Sequence, residues 1–342
     1  GIREIYPEEV YKITIVSPKS AAFIFGKYTK NITTIGVDFG KLNTDFQYHK
    51  KILSVLKKKE YEIAINPFLV HANESDSIMI HIKARNKIQF LNSDTQKLDF
   101  LQSLINKKCG YIHLIDNSQM ELIQNAEVVR KLGNASFKAR IPQLIDYTHS
   151  EETIDFSGYI VMAIGASTPC KRWPAQRFAE IASILNHKFQ KKIVLCGGQE
   201  EKFIYEEMRP YLQQGIDLIN MIGKTTLSQL VGLIRKSELV IGNDSSSVHI
   251  AAATNTPAIC IVGGWDYGRM YPYKVESGEA NMLPHNITVH MECFNCARVK
   301  TGYGNKICQE RIANNQIYPC IDAITSDKVL NVACGLLTKD RS

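Results

Sequence analysis

Apolar positions along this chain fall into two alternating kinds of segment. Short, nearly continuous apolar runs are followed by longer stretches in which apolar residues recur every three or four positions, the spacing of one helical face. In the first half, runs at 11–17, 33–39, 61–67, 87–91 and 111–115 predict strands. The stretches 44–59, 75–86, 95–108 and 119–132 predict helices, with Asn43 and Asp94 as N-caps. Residues 1–6 read as the end of a helix. In the second half, strands are predicted at 159–164, 192–196, 218–221, 239–242, 257–262 and 287–289. Helices are predicted there at 175–189, 200–213, 227–236, 247–254 and 326–337. Regular alternation of strand and helix implies an α/β fold with parallel sheets covered on both faces. The pattern occurs twice, with a polar break at 147–157. This predicts two Rossmann-like, doubly wound domains, 1–150 and 151–342, with a ligand in the cleft between them.

Composition narrows the possibilities. A length of 342 residues suits two domains, and 44% hydrophobic content is enough for packed cores. The net charge of +7 is moderate. Basic runs such as Lys57-Lys58-Lys59 and Lys107-Lys108 could attract anionic substrates, or be solvated helix ends. Basic and aromatic residues are not interleaved as in nucleic-acid binders. No apolar run approaches the roughly 20 residues of a membrane span, and no secretory signal is visible. Of nine cysteines, Cys109, Cys170, Cys196, Cys260 and Cys334 are scattered, several within apolar runs, as reduced core residues of a cytoplasmic protein would be.

Four turns after second-half strands carry candidate chemistry. The richest is Asn243-Asp244-Ser245-Ser246-Ser247-Val248-His249, between two buried strands and leading into an Ala-rich helix. Asp244 and the serines could cap that helix. The N–H groups at its start favour an anion, and His249 is close enough to reach the same ligand; a capped helix with no ligand is the alternative. After the strand at 159–164 comes Gly165-Ala166-Ser167-Thr168-Pro169-Cys170-Lys171-Arg172-Trp173-Pro174. It reads as a diphosphate clamp or as a basic loop before a helix. Gly197-Gly198 follows the next strand and lets backbone approach a ligand, although most such pairs are only turns. Met221-Ile222-Gly223-Lys224 could border a base and reach phosphate, or simply lead into a helix cap. In a doubly wound domain all four turns fall on one edge of the sheet.

These turns, in this order, resemble glycosyltransferase family 9, the bacterial heptosyltransferases of the lipopolysaccharide core. The residues that carry the likeness are Gly165-Ala166-Ser167, Lys171-Arg172-Trp173-Pro174, Arg177-Phe178, Val194-Leu195-Cys196-Gly197-Gly198, Gly223-Lys224-Thr225-Thr226-Leu227, Gly242-Asn243-Asp244-Ser245, His249 and Ala251-Ala252-Ala253. The resemblance implies a GT-B fold. It also implies inverting transfer of a sugar, heptose from ADP-heptose, to a saccharide acceptor of the lipopolysaccharide core. The enzyme would be cytoplasmic, at most peripheral at the inner membrane, and would need no catalytic cofactor. Ser167, Thr168 and Lys171 would meet donor phosphates. Met221, Ile222, Gly223 and Lys224 would lie at the base and phosphate. Asp244, Ser245, Ser246 and His249 would hold diphosphate and sugar. Alternatives are another nucleotide sugar, a protein acceptor, or a nucleotide-sugar-binding protein without the base.

Two departures stand out. Ser246 occupies a position where the family has glycine. The family's first strand and its Gly-Asp turn, with the presumed general base, are expected upstream of Gly1. Separately, Cys293-x2-Cys296-x11-Cys308-x11-Cys320 lies in a segment that reads as loop-rich, and its spacing suits a structural zinc or iron site. Reduced loop thiols or disulfides are the alternatives.

Overall fold

The computed structural model describes residues 1–22, 24, 31–69, 73–93, 107, 111–116, 118–144, 156–168, 171–278, 283–296, 306–314 and 316–339. It divides into two compact units, Gly1–Ala139 and Arg140–Ser342.

In the first unit, β1 (Ile13–Pro18) and β2 (Ile32–Val37) pair in parallel. A second parallel sheet has the order β3 (Tyr61–Asn66), β4 (Ala84–Asn92), β5 (Tyr111–Ile115). The described helices are α1 (Ile2–Ile5), α2 (Phe39–Thr44), α3 (Phe46–Leu56), α4 (Asn73–His81) and α5 (Glu121–Lys131). Val37, Leu42, Ile52, Leu56 and Ile78 form one core cluster. The helix expected over 44–59 is α3, which starts two residues later, and a separate helix, α2, precedes it. Asp45 takes an extended conformation between them, and its carboxylate accepts from the Tyr48 N–H, while Asp38 caps the first through Lys41 N. Asn43 is therefore helical and not an N-cap. The expected helix at 95–108 and its cap Asp94 lie outside the described residues, Lys107 apart.

The second unit holds six parallel strands in the order β11-β10-β9-β6-β7-β8. These are β6 (Tyr159–Ala163), β7 (Lys192–Cys196), β8 (Leu218–Asn220), β9 (Leu239–Asn243), β10 (Ala258–Ile261) and β11 (His285–Ile287). This is the doubly wound order, so the direction of winding reverses between β6 and β9. Alternate residues of each strand point to opposite faces. Ile160, Met162, Ile193, Leu195, Leu239 and Ile241 pack on one side with α6 (Ala175–Phe189) and α12 (Ser326–Lys339). Tyr159, Val161, Val194, Val240 and Cys260 pack on the other with α8 (Leu227–Lys236) and α9 (Ser246–Ala253). Both faces are covered, which is why these strands read as unbroken apolar runs. Between β7 and β8 the expected helix 200–213 resolves into a 3-10 turn, α7 (Lys202–Met208) and a second 3-10 turn at Arg209–Tyr211, which contains Pro210. Two short helices, α10 (Lys306–Ala313) and α11 (Pro319–Asp322), occupy what reads as loop in the sequence.

The switch point is fastened by one side chain. Ala163 and Gly242 are the last pair in register between β6 and β9, so Ile164 and Asn243 lie side by side just beyond it, Asn243 still paired with Ile261 of β10. The fully buried Asn243 amide donates to Ile164 O at 2.8 Å and Gly165 O at 3.3 Å, and its oxygen accepts from Trp173 N–H at 2.9 Å. Trp173 is anchored in turn by its indole N–H on Ile324 O. Asn243→Ala leaves these backbone groups buried without partners. It is expected to lower stability by about 2–4 kcal/mol, read as a lower urea midpoint at unchanged slope.

Candidate functional site

At the carboxyl edge of β6, β9 and β10, three charged side chains converge. Lys171 Nζ lies 2.9 Å from Asp244 Oδ2 and also contacts Asp266 Oδ2. Side-chain exposures of 17%, 8% and 7% place this ionic cluster largely out of water. Arg269, half exposed, lies 3.8 Å from the other Asp266 oxygen. Burial by itself would lower the Lys171 pKa. The charge of Asp244 and the hydrogen bonds accepted by both carboxylates outweigh it, holding the ammonium above its ordinary value. Burial pushes the Asp244 carboxyl up, and Lys171 offsets part of that shift.

The cluster borders the start of α9. Ser245 is the N-cap, but its side chain makes no capping bond, and its hydroxyl oxygen is buried without a hydrogen-bond partner. Asp244 does not cap the helix either, because its carboxylate is committed to Lys171. Ser246, in the first turn, is exposed. The helix start thus presents N–H groups, a free-standing hydroxyl and an ammonium in one place, a combination suited to an oxyanion.

His249 lies one turn on, in a cluster of three rings with Tyr271 and Tyr273. Its imidazole stacks on Tyr271 (5.1 Å between centroids) and Tyr273 (5.8 Å). Nδ1 is hydrogen-bonded to the Tyr273 hydroxyl and Nε2 to the Tyr271 hydroxyl at 3.3 Å. Both ring nitrogens are engaged inside the protein, so His249 braces the site rather than offering a free donor. Burial lowers its pKa from the ordinary 6.5; Asp244 and Asp266 oppose this, while Lys171 adds to it.

The other expected positions separate. Ser167 is exposed and Thr168 half-buried in the loop after β6, and the Thr168 carbonyl accepts from Lys171 N–H. Arg172, which offered charge in the sequence, is tied to Ala166 O and lies over the Phe203 ring. After β8, Met221 is half-buried and Gly223 is exposed with φ +68°. Ile222 is fully buried in the core and presents no face to a base. The Lys224 ammonium donates to Asn220 O at 2.8 Å.

Two acidic residues escaped the sequence reading. The buried Glu201 carboxylate accepts from Gly198 N–H at 2.7 Å and lies where a Cβ on Gly165 would be, 1.9 Å away. Asp266 is the second. Both follow a Gly-Gly pair at a strand end, Gly197-Gly198 and Gly263-Gly264, which is the signal that could have found them.

The four cysteines gather around the Gly263-Gly264 turn. Gly264 N–H donates to Cys320 Sγ at 3.4 Å, and Phe294, between Cys293 and Cys296, packs on Gly264. Burial, with the neighbouring cysteines adding to it, pushes the Cys296 thiol up to about 11 and raises that of Cys320. Cys308 and Cys320 are buried on α10 and α11, contrary to the loop expectation. Among the described residues no group of three or more His, Cys, Asp or Glu side chains is arranged to hold a metal ion, so the expected four-thiolate site is not formed as it stands. No described helix is long and apolar enough to cross a membrane.

Comparison with known proteins fits this geometry. The family profile of glycosyltransferase family 9 (heptosyltransferase) matches residues 50–297. Lipooligosaccharide heptosyltransferase 2 of Haemophilus influenzae is 36% identical over 97 residues, 28% of this chain and only 28% of that protein. The lipopolysaccharide core heptosyltransferase OpsX of the same organism is 26% identical over 297 residues, 85% of this chain and 79% of its own length. The structure of the E. coli ADP-heptose lipopolysaccharide heptosyltransferase II superposes with a TM-score of 0.68 at 18% identity, covering all of this chain and 93% of that one. That likeness shows the fold, an α/β architecture of the GT-B class.

Protonation of His249 is tested by stability. The unfolded chain takes up a proton near pH 6.5, while the folded imidazole resists it to lower pH. Stability is therefore complete above that pH and is lost as pH falls below it. Thermal melts from about pH 8 to pH 5 are expected to show a shallower decline in His249→Gln than in the unsubstituted protein.

Proposed function

The chain belongs to glycosyltransferase family 9, and from that membership we propose that it transfers heptose from ADP-heptose to a saccharide hydroxyl of the lipopolysaccharide core, inverting the anomeric centre. The supporting observation is the ammonium of Lys171 beside the start of α9, at the switch point of the larger sheet. The diphosphate of the donor meets Lys171, the N–H groups of the first turn of α9, and the Ser245 and Ser246 hydroxyls. Ser167 and Thr168 close the phosphate side. As the glycosidic bond breaks, negative charge builds on the departing diphosphate. Dipoles and an ammonium already fixed in place stabilise it without reorganising. A carboxylate repels phosphate but accepts from sugar hydroxyls, so Asp244 faces the heptose. Met221 and Gly223 border the adenine. Glu201, beyond the second strand, accepts from the ribose hydroxyls, the part an acid plays at that point of dinucleotide-binding sheets. No metal is needed for this chemistry.

The same reading keeps Cys293, Cys296, Cys308 and Cys320 as the residues that would hold a structural zinc or iron ion. Their shared neighbourhood and the N–H bond to Cys320 support the donor set. Four thiolates would leave no open position for catalysis.

ADP is expected to raise the melting temperature more than UDP or GDP does. Saturation at about one hundred times Kd corresponds to about 2.7 kcal/mol, and Asp244→Ala should lose most of the extra shift from an ADP-sugar. Equal shifts from all three nucleotides, or none, overturn the donor assignment. Elemental analysis of the purified protein is expected to find about one equivalent of zinc plus iron; less than about 0.2 removes the metal site.

A further inference from the structure

Asp266 belongs to no motif of the sequence, yet it is the second carboxylate on the donor-site lysine. Two features make it more than an ordinary ion pair. It is almost fully buried, so its charge is balanced by Lys171 inside the site and by Arg269 at the edge rather than by water. It is also carried on a stiff mount. A Cβ on Gly263 would come within 3.0 Å of Ile321 and 3.1 Å of Cys320 Sγ, and one on Gly264 within 2.9 Å of Phe294. Gly264 further donates to Cys320 and accepts from Asn295 N–H at 2.8 Å. Beyond the carboxylate, Arg269 and Met270 N–H groups donate to the Asp266 carbonyl, closing a turn. The glycine pair before Asp266 and the turn after it fix its backbone, so the carboxylate starts from a set position. A lysine side chain has four rotatable bonds and wanders unless held. Asp244 alone fixes one direction; Asp266, on a different strand connection, supplies a second.

We propose that Asp266 is a positioning residue of the donor site: with Asp244 it holds the Lys171 ammonium charged and aimed across the switch point, toward the start of α9. This rests on the donor-site reading above. Asp266 need not touch the donor. It acts through Lys171, and the cysteine-rich segment that backs Gly263-Gly264 is its support.

The consequence is coupling. Asp266→Asn keeps the shape and removes the charge, and is expected to weaken ADP binding about five-fold or more in calorimetric titration. In a Lys171→Met background the same substitution should change ADP affinity less than about two-fold, or improve it, because the lysine through which Asp266 acts is gone and one buried negative charge fewer remains. Equal effects in both backgrounds overturn the proposal. Should Asp266→Asn fold poorly by circular dichroism, Asp266→Ser is carried through the same cycle. A second readout needs no nucleotide. In protein labelled with 13C at lysine Cε, the Lys171 signal should titrate at lower pH in Asp266→Asn than in the unsubstituted protein. An unmoved titration overturns the positioning role. If the unsubstituted protein binds no ADP but the titration moves, the contact stands and the donor reading fails.

Discussion

The amide of Asn243 is the constraint on which the second unit depends. A doubly wound sheet has a seam where winding reverses, and the loops on either side of it share no strand pairing beyond the last residues of β6 and β9. Asn243 bridges that gap with one side chain, bonding the backbone of the first loop at Ile164, Gly165 and Trp173. Its neighbour in sequence is Asp244. The residue that closes the seam therefore also delivers the carboxylate that meets Lys171. Trp173 extends the fastening to the far end of the chain through Ile324, and Arg177 repeats it through the carbonyls of Asp322 and Ile324. The Lys-Arg-Trp-Pro run thus divides its work: Lys171 faces the site, while Arg172 and Trp173 hold the loop in shape.

The charge at the seam is unusual for an anion site. One ammonium is shared by two buried carboxylates, so the cluster is not positive on its own. On the proposed reading, attraction for a diphosphate comes from the N–H groups at the start of α9 together with Lys171. The carboxylates suit hydroxyl groups instead. The proposed donor, a nucleotide sugar, has both kinds of group a few bonds apart. His249, in mutual contact with Tyr271 and Tyr273, stiffens the floor beneath them.

Much of this was legible in the sequence because parallel strands buried on both faces leave unbroken apolar runs. β7, α6 and α8 fall where periodicity puts them, and the four turns lie on one edge as the winding requires. The failures have a common cause: they depend on partners distant in sequence. Asn43 and Asp45 are equally good caps by composition, and only the extended backbone at Asp45 decides between them. Ile222 follows a strand and could have faced a ligand or the core; packing gives it to the core. Asp244 had the composition of a cap, but Lys171, 73 residues earlier, claims its carboxylate. Glu201 and Asp266 were passed over because a single acid after a glycine pair is common, and only burial makes it significant.

Glu201 and Gly165 also set a rule for how this edge can vary. The carboxylate fills the space that any side chain at position 165 would need. A side chain at 165 would meet only the far end of Glu201, which can swing aside, but swinging aside takes the carboxylate off Gly198 N–H. A substitution on the first turn is therefore felt on the second, as the loss of that one bond.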